Sequence, residues 1–201
     1  MTTAVSTRTA LSLRTLFFVR AAFSVVWVTL VFVLASTVTT DTKPSVAAVV
    51  LLTIYPLWDV VATVADIRAT PTAGSHIPQF VNIGVGVAAT VAVLIAALSS
   101  LTPALIVFGA WAFVSGGIQL ILALRRRKPI GGQWPMIISG GLSVLAGISF
   151  VVTSGAPKTG LTTLAGYSAF GAFWYLLGAI LLIVAVRRVS RRIAAPAASD
   201  A

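Results

Sequence analysis

Residues 55–66 read YPLWDVVATVAD, preceded by SVAAVVLLTI (45–54) and followed by IRATPTAGSH (67–76). The run is apolar enough for lipid and long enough to cross it, yet it carries Pro56, Asp59 and, seven residues on, Asp66. The rest of the chain decides how those residues are to be read. Of 201 residues, 58% are hydrophobic and only 9% charged, and mean hydropathy is +1.04. A water-soluble domain is about 25% charged, so this chain lacks the polar groups to cover a surface in water. Continuous apolar segments of roughly 17–25 residues are the alternative, and they imply helices that span a bilayer.

Six such segments follow one another, at about 13–38, 45–67, 78–99, 103–124, 134–153 and 161–187. Short connections rich in turn formers separate them: TTDTKP, ATPTAGSHIP, SSLTP, RRRKPIGGQ and SGAPKTG. The expected fold is all-α, a polytopic membrane bundle of six transmembrane helices built as three repeated helical hairpins. Residues 1–12 and 188–201 are expected to be tails, the second basic and then disordered. Arg8 and Arg14 precede the first segment, but Arg20 lies within it and no clean small-residue cleavage site follows. That segment reads as a retained helix rather than a signal peptide.

The net charge of +10 is arranged by side. With alternating segments, Arg8, Arg14, Arg68, Arg125, Arg126, Arg127, Lys128, Arg187, Arg188, Arg191 and Arg192 share one side, and Lys43 and Lys158 the other. Basic residues concentrate in cytoplasmic loops, so both termini are expected inside, in a cell inner (plasma) membrane. Arg125, Arg126, Arg127 and Lys128 are expected to meet anionic lipid headgroups. No aromatic-interleaved basic surface accompanies them, so nucleic acid is not an expected partner. Assembly of several copies stays open.

The even-numbered segments resemble one another. Aligning GAWAFVSGGIQLILALRRR (109–127) with GAFWYLLGAILLIVAVRR (171–188) sets Gly109 on Gly171 and Gly116 on Gly178. LTIYPLWDVVATVADIR (52–68) fits the same frame with Asp59 in the place of Gly116 and Gly178. SGGLSVLAGI (139–148) parallels RAAFSVVWVT (20–29). The pairs Gly109/Gly116, Gly140/Gly147 and Gly171/Gly178 are each spaced by two helical turns, the spacing of packing notches that let backbones approach.

The runs WAFVSGGIQLILALRRRK (111–128), WPMIISGGLSVLAGISFVV (134–152) and LAGYSAFGAFWYLLGAILLIVAVR (164–187) resemble the HdeD-like family of small multi-pass bacterial membrane proteins. The resemblance is strongest from about 103 to 187. It implies six membrane helices, a bacterial membrane location and a link to envelope or acid-stress tolerance. Asp59 is where this chain departs from the glycine pattern.

A charge at mid-helix costs roughly 2.5–3.5 kcal/mol on insertion scales, so it needs a partner in the bundle. Asp59 lies about eight residues into its helix and Arg20 about seven into the first, roughly 12 and 10 Å from the same surface at 1.5 Å per residue. Matching depth predicts an Arg20–Asp59 ion pair. Asp66 shares Asp59's face and has three candidate partners: Arg68, Arg20 or headgroup water. Gln79, Asn82, Gln119 and Gln133 lie in the same half, with Asp66, Asn82 and Gln119 as accessory polar groups. Pro56 cannot donate to the carbonyl of Leu52, which is then free for another partner.

Two functional readings follow. In one, the charge pair fixes register in a non-enzymatic membrane protein of HdeD-like type. In the other, it belongs to a polar site facing the cytoplasm, in a small transporter or channel subunit. His76 is expected in a solvated loop, and Trp134 reads as an interfacial anchor while Trp27, Trp111 and Trp174 lie deeper. No HExxH, GxSxG or phosphate-cradling GxxxxGK[ST] motif is present, and neither cysteine nor a second histidine exists to build a metal site. No enzymatic activity, cofactor or metal is expected.

Overall fold

A computed structural model describes residues 2–35, 44–70, 75–128, 133–156 and 161–194. For 2–10, 35, 161–162, 182 and 185–194 it describes the backbone alone. The described residues form six helices and no strand: α1 Thr2–Ala35, α2 Val46–Ala69, α3 Ile77–Ala97, α4 Leu101–Arg126, α5 Trp134–Thr153 and α6 Leu161–Ala194. Each contains a stretch long and apolar enough to cross a membrane. The protein is therefore an all-helical, multi-pass membrane protein.

Local sequence explains the helix ends. Ser45 caps α2, its hydroxyl accepting from the Ala48 amide at 3.3 Å. Pro78, Pro103 and Pro135 sit in the first turns of α3, α4 and α5, where amide donors have no intrahelical acceptor to lose. The expected tails at 1–12 and 188–201 are not set apart as non-helical. Helix α1 begins at Thr2, and α6 runs on to Ala194 through Arg187, Arg188, Arg191 and Arg192. Neither 2–12 nor 188–194 holds glycine or proline, and extending a formed helix adds one hydrogen bond per residue without a new nucleus. The loops holding Lys43 and Lys158, and residues 195–201, lie outside the described residues.

The helices close into a ring in chain order, α6 returning to α1. Packing is tightest between α4 and α5 and between α1 and α6, intermediate for α2–α3 and α3–α4, and loosest for α1–α2 and α5–α6. Three hairpins thus succeed one another along the chain, while two of the closest contacts, α4–α5 and α1–α6, lie between hairpins. Glycine explains the first. A Cβ on Gly147 would stand 2.6 Å from the Gly109 carbonyl, and one on Gly140 2.9 Å from that of Gly116. In hydrocarbon, such backbone contact replaces the hydrophobic drive that water would supply.

Two apolar clusters flank the middle. At the end away from the termini, Trp27, Val31, Leu52, Val93, Leu101, Leu105, Phe108 and Leu164 pack together with almost no exposure. At the terminal end a smaller cluster joins Leu13, Phe17, Ala123, Met136 and Ala179. The ring's outer surface is apolar: Val33, Val46, Ile77 and Val152 are at least two-thirds exposed. Water would not tolerate such a surface, and lipid accommodates it.

Candidate functional site

Helix α2 presents Asp59, Thr63 and Asp66, and its C-cap Thr70 continues the stripe, spaced by three or four residues and all buried. Facing it, α3 offers Gln79 and Asn82 from its first turns. Arg20 of α1 donates to Asp59 Oδ1. Asn82 Nδ2 donates to Asp59 Oδ2 at 2.8 Å and to Thr63 Oγ1 at 2.9 Å. Both carboxylate oxygens of Asp59 are thus satisfied by side chains of two neighbouring helices. The guanidinium of Arg20 also lies over the ring of Tyr175, 4.8 Å from its centroid.

Asp66 takes a partner other than those expected from sequence. Arg126, the last residue of α4, grips it in a fork, with Nη1 to Oδ1 at 2.8 Å and Nη2 to Oδ2 at 2.6 Å. Gln79 Nε2 approaches the same Oδ2 at 3.4 Å, and Arg126 Nη2 reaches Thr70 Oγ1 at 3.4 Å. Arg68 is exposed instead. The physical reason is helical phase: Arg68 lies two residues from Asp66 and points to another face, whereas α4 ends beside α2's polar stripe. Arg126 therefore leaves the headgroup set expected for RRRK. Arg125, Arg127 and Lys128 are exposed.

These two networks border a cavity of about 120 Å³ to which all six helices contribute. Arg20 and Asp59 line it near the middle, Asp66 and Arg126 toward the terminal end. All three tyrosines of the chain, Tyr55, Tyr167 and Tyr175, line it too. Tyr175 donates to Gln119 Oε1 at 2.8 Å while Gln119 Nε2 donates to the Met136 carbonyl at 3.3 Å. Tyr167 donates to Ser143 Oγ at 2.9 Å. Toward the far end the Trp27–Phe108 cluster closes the space, and the Trp27 indole donates to the Leu51 carbonyl at 2.7 Å.

Several residues on this cavity carry buried polar atoms with no hydrogen-bond partner among the described residues: Gln79 Oε1, Asn82 Oδ1, Trp111 Nε1 and Ser115 Oγ. Unmatched buried polar atoms are costly, on the order of 1–3 kcal/mol each, and all four belong to residues that border the cavity. His76, expected to be solvated, stands at the N-cap of α3 with its Nδ1 buried. Trp134 is 63% exposed, as an interfacial residue would be.

The expected glycine notches divide. Gly109, Gly116, Gly140 and Gly147 bring α4 and α5 together, and Gly178 admits Met136 and Phe17. Gly171 is no notch: a Cβ there would meet nothing within 4 Å, and the residue borders the cavity. Gly86, not singled out from sequence, receives Val60 of α2, whose Cγ2 would lie 2.6 Å from an added Cβ. Among the described residues, no group of three or more His, Cys, Asp or Glu is placed to hold a metal.

No curated protein and no solved structure matches the chain. What the comparisons attach to this membrane bundle is one segment from α3 through α5, containing the paired glycines of α4 and α5: residues 83–152 match a family model described as a short repeat of unknown function (DUF308).

Proposed function

We propose that this is a non-enzymatic membrane protein that admits a small polar solute into its interior from the side carrying both termini. The observation that carries this reading is the cavity of about 120 Å³, bordered by paired charges and by buried polar atoms without protein partners. Its far end is sealed by tightly packed apolar side chains, so the solute enters and leaves at the terminal end in this state. The basic residues there orient that end to the cytoplasm of a bacterial inner membrane, with Arg125, Arg127 and Lys128 against anionic headgroups. The HdeD-like resemblance adds an envelope or acid-stress setting, in which an internal solute site would serve uptake, release or sensing.

Cysteine labelling tests the reading directly, because the chain has no cysteine of its own. Ser139→Cys places a thiol on the cavity wall at a residue that is 5% exposed. A small water-soluble thiol reagent should modify it from the terminal side of the membrane, as it modifies an exposed control at Ser75→Cys. If the control reacts and Ser139→Cys does not, the cavity is closed to solutes and the reading fails.

A further inference from the structure

The polar atoms around the cavity specify a class of occupant. This inference rests on the reading that the cavity is open to solutes. Four formal charges border the space, Arg20 and Arg126 against Asp59 and Asp66, and they cancel. Each aspartate already has a partner on both carboxylate oxygens: Asp59 in Arg20 and Asn82, Asp66 in the Arg126 fork and Gln79. A lone ion entering this neutral, lipid-encased space would leave a net buried charge with no counter-charge to meet it, a cost of several kcal/mol per ion in real proteins. A net-neutral solute avoids that cost.

What remains free is mixed in kind. Asn82 Oδ1 and Gln79 Oε1 are acceptors without donors, on residues 6% and 1% exposed. The Trp111 indole N–H, on a residue 6% exposed, is a donor without an acceptor. Arg20 has five N–H donors, more than its contacts with Asp59 and Tyr175 use. The free donors come from α1 and α4 and the free amide acceptors from α3, while the Ser115 hydroxyl on α4 can serve as either. An occupant that answers both must accept at one end and donate at the other. Size is limited as well: about 120 Å³ is somewhat less than the roughly 150 Å³ cavity that takes up benzene.

We infer that the cavity binds a small net-neutral solute with a strong dipole, an amide or an amino-acid zwitterion of a few heavy atoms, and rejects monovalent ions of the same size. The carboxylate or carbonyl oxygen of the solute faces Arg20 and Trp111, and its N–H groups face Asn82 and Gln79.

The test is protection of Ser139→Cys in the full chain reconstituted in lipid nanodiscs. Glycine and acetamide are compared with acetate and methylammonium, and each is also titrated calorimetrically into the unsubstituted protein. Glycine or acetamide should slow the modification at concentrations about tenfold below those needed with either ion, and Asn82→Ala should weaken that protection. The ranking of glycine against acetamide then separates zwitterion from neutral amide. Equal or better protection by acetate or methylammonium overturns the assignment while leaving an open cavity. So does a Ser139→Cys that is modified and protected by nothing in the panel. A Ser139→Cys that is never modified, beside a reactive Ser75→Cys, removes the open cavity and this inference together.

Discussion

Asp59 and Arg20 hold each other inside the bundle, and among the described residues the nearby Asp66 and Arg126 are already paired with one another. Removing one partner leaves the other as a buried, uncompensated ion, which typically costs about 3–5 kcal/mol. Asp59→Leu alone should therefore sharply lower the yield and melting temperature of the purified protein. The double variant Arg20→Leu/Asp59→Leu should recover most of that loss, because a well-packed apolar pair often matches a buried ion pair. A double variant as unstable as the single would show that the pair is not the reason for the charges. Arg126 and Arg68 make a second comparison. Arg126→Gln breaks the fork on Asp66 and should measurably lower the melting temperature. Arg68→Gln, on an exposed residue, should stay within about 0.5 kcal/mol of the parent. The opposite order in thermal unfolding would overturn the assignment of Arg126 to Asp66.

At the scale of the helix, glycines that look alike in sequence do unlike things. Gly147 and Gly140 let α4 and α5 touch backbone to backbone, so Gly147→Ala forces the two helices apart. Overpacking of this kind costs typically about 1–3 kcal/mol. Gly171 has open space beside it, and there alanine should be neutral or stabilising by up to about 1 kcal/mol through its helix propensity. Thermal unfolding of both variants in one detergent checks the contrast. A destabilising Gly171→Ala would mean that α6 sits closer to its neighbours than described. The repeat alignment pairs Gly109 with Gly171 and cannot separate them, because a glycine's role depends on which helix lies opposite.

For the molecule as a whole, the ring is polar inside toward the terminal end and solidly apolar toward the other. A cysteine at Leu105, which is fully buried in the far cluster, should resist a water-soluble thiol reagent applied from either side, whereas one at Ser139 should react from one. Modification of Leu105→Cys from the far side would reveal a second state in which the bundle opens there. The order of residues alone specifies a bundle of six membrane helices, since the length and hydropathy of each segment leave few alternatives in a bilayer. It also determined that Arg20 and Asp59 lie at one depth, because rise per residue converts position into depth along a helix. Helix packing, in contrast, turns Asp66 to Arg126, sets Gly171 beside a space and gathers three tyrosines around it. Those facts depend on the rotation of each helix and on which helix faces it across the ring, contacts between residues far apart in the chain that no local pattern encodes.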